Sequence, residues 1–141
     1  MMDLDNLYQE LIIDHGTEPR NHHALEKANC DAEGYNPLCG DKVHVYLLVE
    51  DDAIKDISFL GKGCAISTAS ASIMTEVLKS KTIPQAKEIF AHFQHLLTSE
   101  DPAPESLGKL AALTGVRKFP SRVKCATLAW HTMQDALKGR K

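Results

Sequence analysis

The sequence predicts an α+β fold, a small antiparallel β-sheet with α-helices packed on one face. Three observations carry this. A helical apolar repeat opens the chain, two β-alternating runs follow with a four-residue turn between them, and helical patterns fill the rest.

Leu4, Leu7, Tyr8, Leu11 and Ile12 repeat at i, i+3, i+4, i+7 and i+8, which predicts a helix over 4–14 ended by Gly16 and Pro19. Residues 16–42 are polar and irregular, with room for short extended pieces. Val43, Val45, Leu47 and Val49 then alternate onto one face of a half-buried strand. Glu50-Asp51-Asp52-Ala53 is a turn, and residues 54–60 form a second strand with Ile57 and Phe59 inward. So short a link makes the pair antiparallel. Gly61-Lys62-Gly63 breaks the strand before a helix over 65–79, whose first eight residues are all Ala, Ser or Thr except Ile66. Small side chains there make a surface for close packing. A helix over 84–97 follows, with Thr82 as cap and Pro84 in the first turn. A short helix over 107–113, stopped by Gly115, and a last helix over 120–137 complete the order.

The chain has 141 residues, 43% of them hydrophobic, which suits one domain spanning 1–141. Its net charge is −3, from 19 acidic and 16 basic residues, and no basic stripe suggests a nucleic-acid partner. No apolar run approaches the ~20 residues of a membrane span. The acidic start Met1-Met2-Asp3-Leu4-Asp5 lacks the basic and apolar regions of a signal peptide. A cytoplasmic location is expected, where thiols are ordinarily reduced.

Three of the four cysteines stand in distinctive settings: Asn36-Pro37-Leu38-Cys39-Gly40-Asp41, Gly61-Lys62-Gly63-Cys64-Ala65-Ile66-Ser67, and Arg122-Val123-Lys124-Cys125-Ala126-Thr127. A tetrahedral metal of the zinc type takes about four N, O or S ligands. Cys39, Asp41, Cys64 and Cys125 supply that number from three separate places. The carboxylate is the harder and more exchangeable ligand, which suits a site that opens. Gly40 can take a positive φ and so turn Cys39 and Asp41 toward one point. Cys64 precedes a helix, whose N-terminus favours a thiolate. Cys125 lies roughly 130° from the middle of the stripe Val123, Ala126, Trp130, Met133 and Leu137, at about 100° per residue, and so off the core-facing line. Cys30 has no such context and reads as a small core residue. The seven histidines are assigned no ligand role. His44 alternates onto the outer face of its strand, and His92 and His95 share one helix face. No GxSxG elbow, P-loop, GxGxxG or HExxH is present.

With these motifs the chain resembles the SufU branch of the IscU/NifU-like iron–sulfur assembly scaffold family. The resemblance runs through Leu7-Tyr8, Asp14-His15, Pro19-Arg20-Asn21, the three cysteine motifs, Ala69-Ser70-Ala71-Ser72 and Phe119-Pro120 to Trp130. Classical IscU scaffolds carry a histidine before the third cysteine and a Leu-Pro-Pro-Val-Lys segment read by a chaperone. Here Lys124 and the stretch Phe119-Pro120-Ser121-Arg122-Val123-Lys124 stand there, and the interval from Cys64 to Cys125 is longer. The resemblance implies a SufE/NifU-like fold and a Zn²⁺ ion on Cys39, Asp41, Cys64 and Cys125. It implies sulfur transfer from a SufS-type cysteine desulfurase to Cys39, and onward to a downstream iron–sulfur scaffold. It also implies that the desulfurase offers a histidine to the zinc, and that Arg122 holds the displaced Asp41. The alternative is a scaffold that builds a [2Fe–2S] cluster on the same ligands.

Overall fold

The computed structural model describes residues 4–37 and 40–139. Its order is α1 (Leu4–Thr17), β1 (Cys30–Asn36), β2 (Asp41–Glu50), β3 (Ala53–Lys62), α2 (Ala65–Leu78), α3 (Ile83–Thr98), a 3₁₀ segment (Glu105–Lys118) and α4 (Pro120–Lys138). The fold is α+β, as predicted. The three strands form an antiparallel meander in the order β1-β2-β3.

The sheet has one apolar face because β2 alternates strictly: Val43, Val45 and Leu47 are buried, while His44 and Tyr46 between them are only half-buried. Helices α2 and α4 cover that inner face. The β2–β3 turn is tight, with Asp51 and Asp52 both left-handed at φ 53° and 61°. Two such residues match the right-handed twist of the flanking strands. A register shift at Leu48/Val49 leaves Lys55 out of the ladder, so Ile54 joins Ile57 and Phe59 in the core. The predicted small-residue run is a packing surface: Ser67 and residues 69–72 are buried between α1, α2 and α4. Thr82 caps α3 in a reciprocal box with Gln85.

The structure corrects several of these readings. Helix α1 continues through Gly16 to Thr17, whose hydroxyl donates to Ile13 O at 2.8 Å, so Pro19 and not Gly16 ends it. The region 16–42 contains a full strand, β1, whose pattern is weakened by Gly34 and by the acidic outer residues Asp31 and Glu33. Gly34 is there because a Cβ would overlap Thr132 Oγ1 on α4. The short helix over 107–113 is part of a longer 3₁₀ segment that Gly115 does not stop. Gly108, at φ 52° and ψ −125°, kinks it instead. No helix among the described residues is long and apolar enough to cross a membrane.

Candidate metal centre

β2 begins two residues earlier than the apolar alternation predicts. Asp41 is therefore its first inward residue, in line with Val43, Val45 and Leu47, and is fully buried. Gly40 precedes it at φ +70°, a backbone state that favours glycine. The Asp41 partner across the ladder is Asn36, also inward and buried. A carboxylate in an apolar face needs partners. One is the Cys64 backbone N–H, which donates to Asp41 Oδ1 at 2.8 Å. The approach depends on Gly63, where a Cβ would lie 2.5 Å from that same oxygen.

Cys64 is the N-cap of α2, in the position usually taken by Ser, Thr, Asn or Asp. Its Sγ accepts from Ser67 N–H at 3.4 Å and lies 3.9 Å from Asp41 Oδ2. Cys125 lies in the second turn of α4. It is fully buried yet stands apart from the apolar cluster to which Ala126, Ala129, Trp130 and Met133 belong. The angular offset expected from the sequence does not keep Cys125 at the surface: it is buried with the core-facing residues of α4, its sulfur near Asp41 and Cys64. Asn36 Nδ2 donates toward its Sγ at 3.9 Å.

One ligand atom from each of Asp41, Cys64 and Cys125 lies within 4.8 Å of the others. Zinc–sulfur and zinc–oxygen bonds of about 2.3 and 2.0 Å place tetrahedral ligands roughly 3.5 Å apart. Two thiols and a buried carboxylate at this spacing fit such an ion, and no cationic side chain among the described residues pairs with Asp41. Cys39, the remaining predicted ligand, lies outside the described residues. Of the three gathered residues Cys64 is the half-buried one, the other two being buried. It opens on a groove of about 530 Å³ walled by Ile12, Ile66, Val116, Phe119 and Arg122.

Cys30 sits in the apolar core on β1, away from this group. His44 faces outward as predicted, stacked on Tyr46 and paired with Asp31 at 2.6 Å. His95 lies 2.9 Å from Asp101, and His131 meets Phe90 edge-on. Sequence reasoning passed over His15. It is fully buried, with Nδ1 2.6 Å from Ser72 Oγ and Nε2 3.4 Å from Glu76 Oε1. Its signal was the break in the helix pattern: a polar residue at position 15 where α1 meets the small-residue face of α2. Burial, with Arg20 adding to it, holds the imidazole below its ordinary pKa.

Residues 7–137 match the NifU-like N-terminal domain family. The chain is 38% identical to the iron–sulfur cluster assembly scaffold protein IscU of Streptococcus pyogenes serotype M1, covering 96% of this chain and 85% of that one. It is also 38% identical to the zinc-dependent sulfurtransferase SufU of Bacillus subtilis strain 168, covering 95% and 91%. The crystal structure of the N-terminal part of a nitrogen-fixing NifU-like protein from Brucella abortus superposes with a TM-score of 0.86 over 96% of this chain and 94% of that one. At 24% identity it speaks to the fold alone. The chain belongs to the NifU-like N-terminal domain family.

Proposed function

We propose that this member of the NifU-like N-terminal domain family is a zinc-dependent sulfur acceptor. It takes persulfide sulfur from a SufS-type cysteine desulfurase and passes it to a downstream iron–sulfur scaffold. The observation that carries the reading is the convergence of Asp41, Cys64 and Cys125, with Asp41 in no ion pair among the described residues. The likeness to a relative named as a zinc-dependent sulfurtransferase supports it. Cys39 is proposed as the fourth ligand and as the acceptor. Bound zinc keeps coordinated thiols deprotonated at neutral pH.

The chain's own part is to hold the anionic groups together and to gate one of them. The Cys64 N–H and the start of α2 stabilise Asp41 and the Cys64 thiolate. Asn36 supplies a donor to Cys125. In the transfer, a Cys39 thiolate attacks the outer sulfur of the desulfurase persulfide. A new S–S bond forms as the persulfide's S–S bond breaks. The desulfurase thiolate leaves, and the proton travels with the transferred sulfur. Such exchange depends on thiolate fraction, nucleophilicity and access.

The cluster-scaffold reading shares the ligands and is favoured by the equally similar relative named a scaffold. Lys124, exposed before Cys125, provides no imidazole there. Anaerobic isolation followed by elemental analysis and an absorption spectrum separates the two. The sulfur-transfer reading predicts about one colourless zinc ion per chain and one added sulfur on Cys39 after incubation with a desulfurase and cysteine. Mainly iron, with visible cluster absorption, would establish the scaffold instead.

A further inference from the structure

The outer face of the sheet, opposite the helices, carries a groove of about 610 Å³ at the same end as the metal group. Its cross-strand rows are fixed by the register. Tyr35, Lys42 and Lys62 form one row, and Glu33, His44 and Leu60 the next. Residues directly opposite one another share a face and lie in contact distance. Tyr35 is 63% exposed and Leu60 37%, two of the five large apolar side chains left open among the described residues. A third, Phe119, borders the Cys64 groove on the other flank of the metal end.

The charges are the informative part. The chain is net acidic, yet Lys42 and Lys62 are exposed and directly opposed across the ladder. Like charges so placed destabilise a sheet. Neither makes an ion pair among the described residues. The nearest outward carboxylates, Asp31 and Glu33, are both engaged by His44. A locally unfavourable pair of cations flanked by open Tyr35 and Leu60 is what an incoming carboxylate would relieve. Gly40 lines the groove, so an occupant touches the backbone between Cys39 and Asp41.

We infer that this outer-sheet groove is a docking surface for an acidic segment of the desulfurase. Carboxylates on that segment would meet Lys42 and Lys62, and an apolar side chain would seat between Tyr35 and Leu60. The inference rests on the sulfur-transfer reading and adds to it the surface that brings the two proteins together. Rim charges of this kind act on association rate and salt dependence. An apolar anchor acts with little regard to salt.

The test measures affinity of the zinc-loaded protein for the desulfurase at low and high salt, beside zinc content and sulfur uptake. For the double reversal Lys42→Glu/Lys62→Glu the expected result is about a tenfold or greater loss of affinity at low salt and a flattened salt dependence. Zinc content, and sulfur uptake at saturating desulfurase, should stay at parental levels. Tyr35→Ser should weaken binding at both salt concentrations alike. Parental affinity and salt response in both variants would overturn the docking surface and leave the sulfur-transfer reading standing. Absence of any binding or sulfur uptake by the parent protein would overturn both. Sedimentation showing that the reversal changes self-association, with desulfurase binding intact, would assign the groove to a second copy of the chain and overturn the inference.

Discussion

Two buried polar clusters lie along α2, and they follow opposite electrostatic rules. Around Ser72 and Glu76 the groups complement one another. His15 Nδ1 meets Ser72 Oγ, Arg20 N–H donates to the same hydroxyl at 2.8 Å, and Asn21 Nδ2 donates to Thr75 Oγ1 at 2.9 Å. Arg20 and Asp14 pair at 2.6 Å, and Glu76 faces both His15 and Lys109. We assign the imidazole proton to Nε2, facing Glu76, since the Ser72 hydroxyl proton can serve Nδ1. At the start of the same helix, Asp41, Cys64 and Cys125 bring a carboxylate and two thiols together, and N–H groups of Cys64, Ser67 and Asn36 donate to them. The first cluster joins α1 to α2 and sets opposite charges side by side, although His15 Nε2, 3.4 Å from Glu76 Oε1, makes no hydrogen bond among the described residues. An all-acceptor cluster calls for a cation from outside the chain. Burial alone does not distinguish them; the sign of what surrounds the buried group does.

The strongest way to break this contrast is to remove the cation. With zinc bound at free concentrations near a thousand times its dissociation constant, the folded state gains about 4 kcal/mol. For a chain of this size that corresponds to a fall in Tm on chelation of about 10 °C. The same treatment should leave a Cys64→Ser/Cys125→Ser variant unmoved, because its ligands are gone. Coincident melts of chelated and zinc-loaded parent protein would show that the all-acceptor cluster does not need a metal.

Gly63→Ala is the next test. The added methyl reaches 2.5 Å from Asp41 Oδ1, so the carboxylate or the α2 start must shift. Zinc affinity should fall about 10–100-fold, the range for disturbed outer partners of a ligand. The metal-free protein should also lose about 1–3 kcal/mol, since the displaced carboxylate is buried and its bond from Cys64 N–H is disturbed. Titration with a competing chelator reads the first quantity and a melt in chelator the second.

Much of this was legible in the sequence where one periodicity ruled. The β2–β3 hairpin, α3 and α4 were readable because apolar residues recur on a core-facing side, as Val43–Leu47, Ile57 and Phe59, or Trp130 and Met133 do; α2 was readable as a helix, but its burial nearly all round from Ala69 to Thr75 goes beyond the stripe of Ile66, Ala69, Ile73 and Val77. The metal group was readable in part because glycines flank its residues. β1 was not readable: Gly34 serves contact with Thr132, and Asp31 and Glu33 serve His44, so no apolar alternation remains. The inward line of β2 extends to Asp41, but a carboxylate does not register as the continuation of Val43 and Val45. His15 was hidden because its partners, Ser72 and Glu76, are remote in sequence and look like ordinary helix residues.

The balanced cluster predicts a pH effect of intermediate size. Burial depresses the His15 pKa in the folded state, while the unfolded value stays near about 6.5. Above that pH both states are neutral and the full stability is present. As pH falls below it, the unfolded chain takes up a proton that the folded chain resists, and stability drops until the folded pKa is passed. His15→Gln should flatten the stability curve between about pH 7 and pH 5 while lowering stability at pH 7 by about 1–3 kcal/mol through the disturbed Ser72 contact. Urea unfolding at several pH values gives both numbers. An unchanged slope would show that some other group carries the acid response.

The smallest effect separates cysteine in the core from cysteine in the metal group. Cys30 opens β1, is 5% exposed, and lies opposite Leu47 within the apolar cluster. Cys125 is equally buried but stands outside that cluster with Asp41 and Cys64. Cys30→Ala removes one heavy atom from a packed site and should cost about 1 kcal/mol, the ordinary size of a small core change. That is a Tm shift of about 2–4 °C at this chain length. Zinc stoichiometry and persulfide formation should match the parent protein, because no ligand atom is touched. Cys125→Ala deletes the same atom from an equally buried position, yet should lose zinc along with stability. Measuring metal content and Tm on the two variants together makes the comparison direct. Loss of zinc from Cys30→Ala would place Cys30 in the site and undo the division between the two kinds of buried thiol.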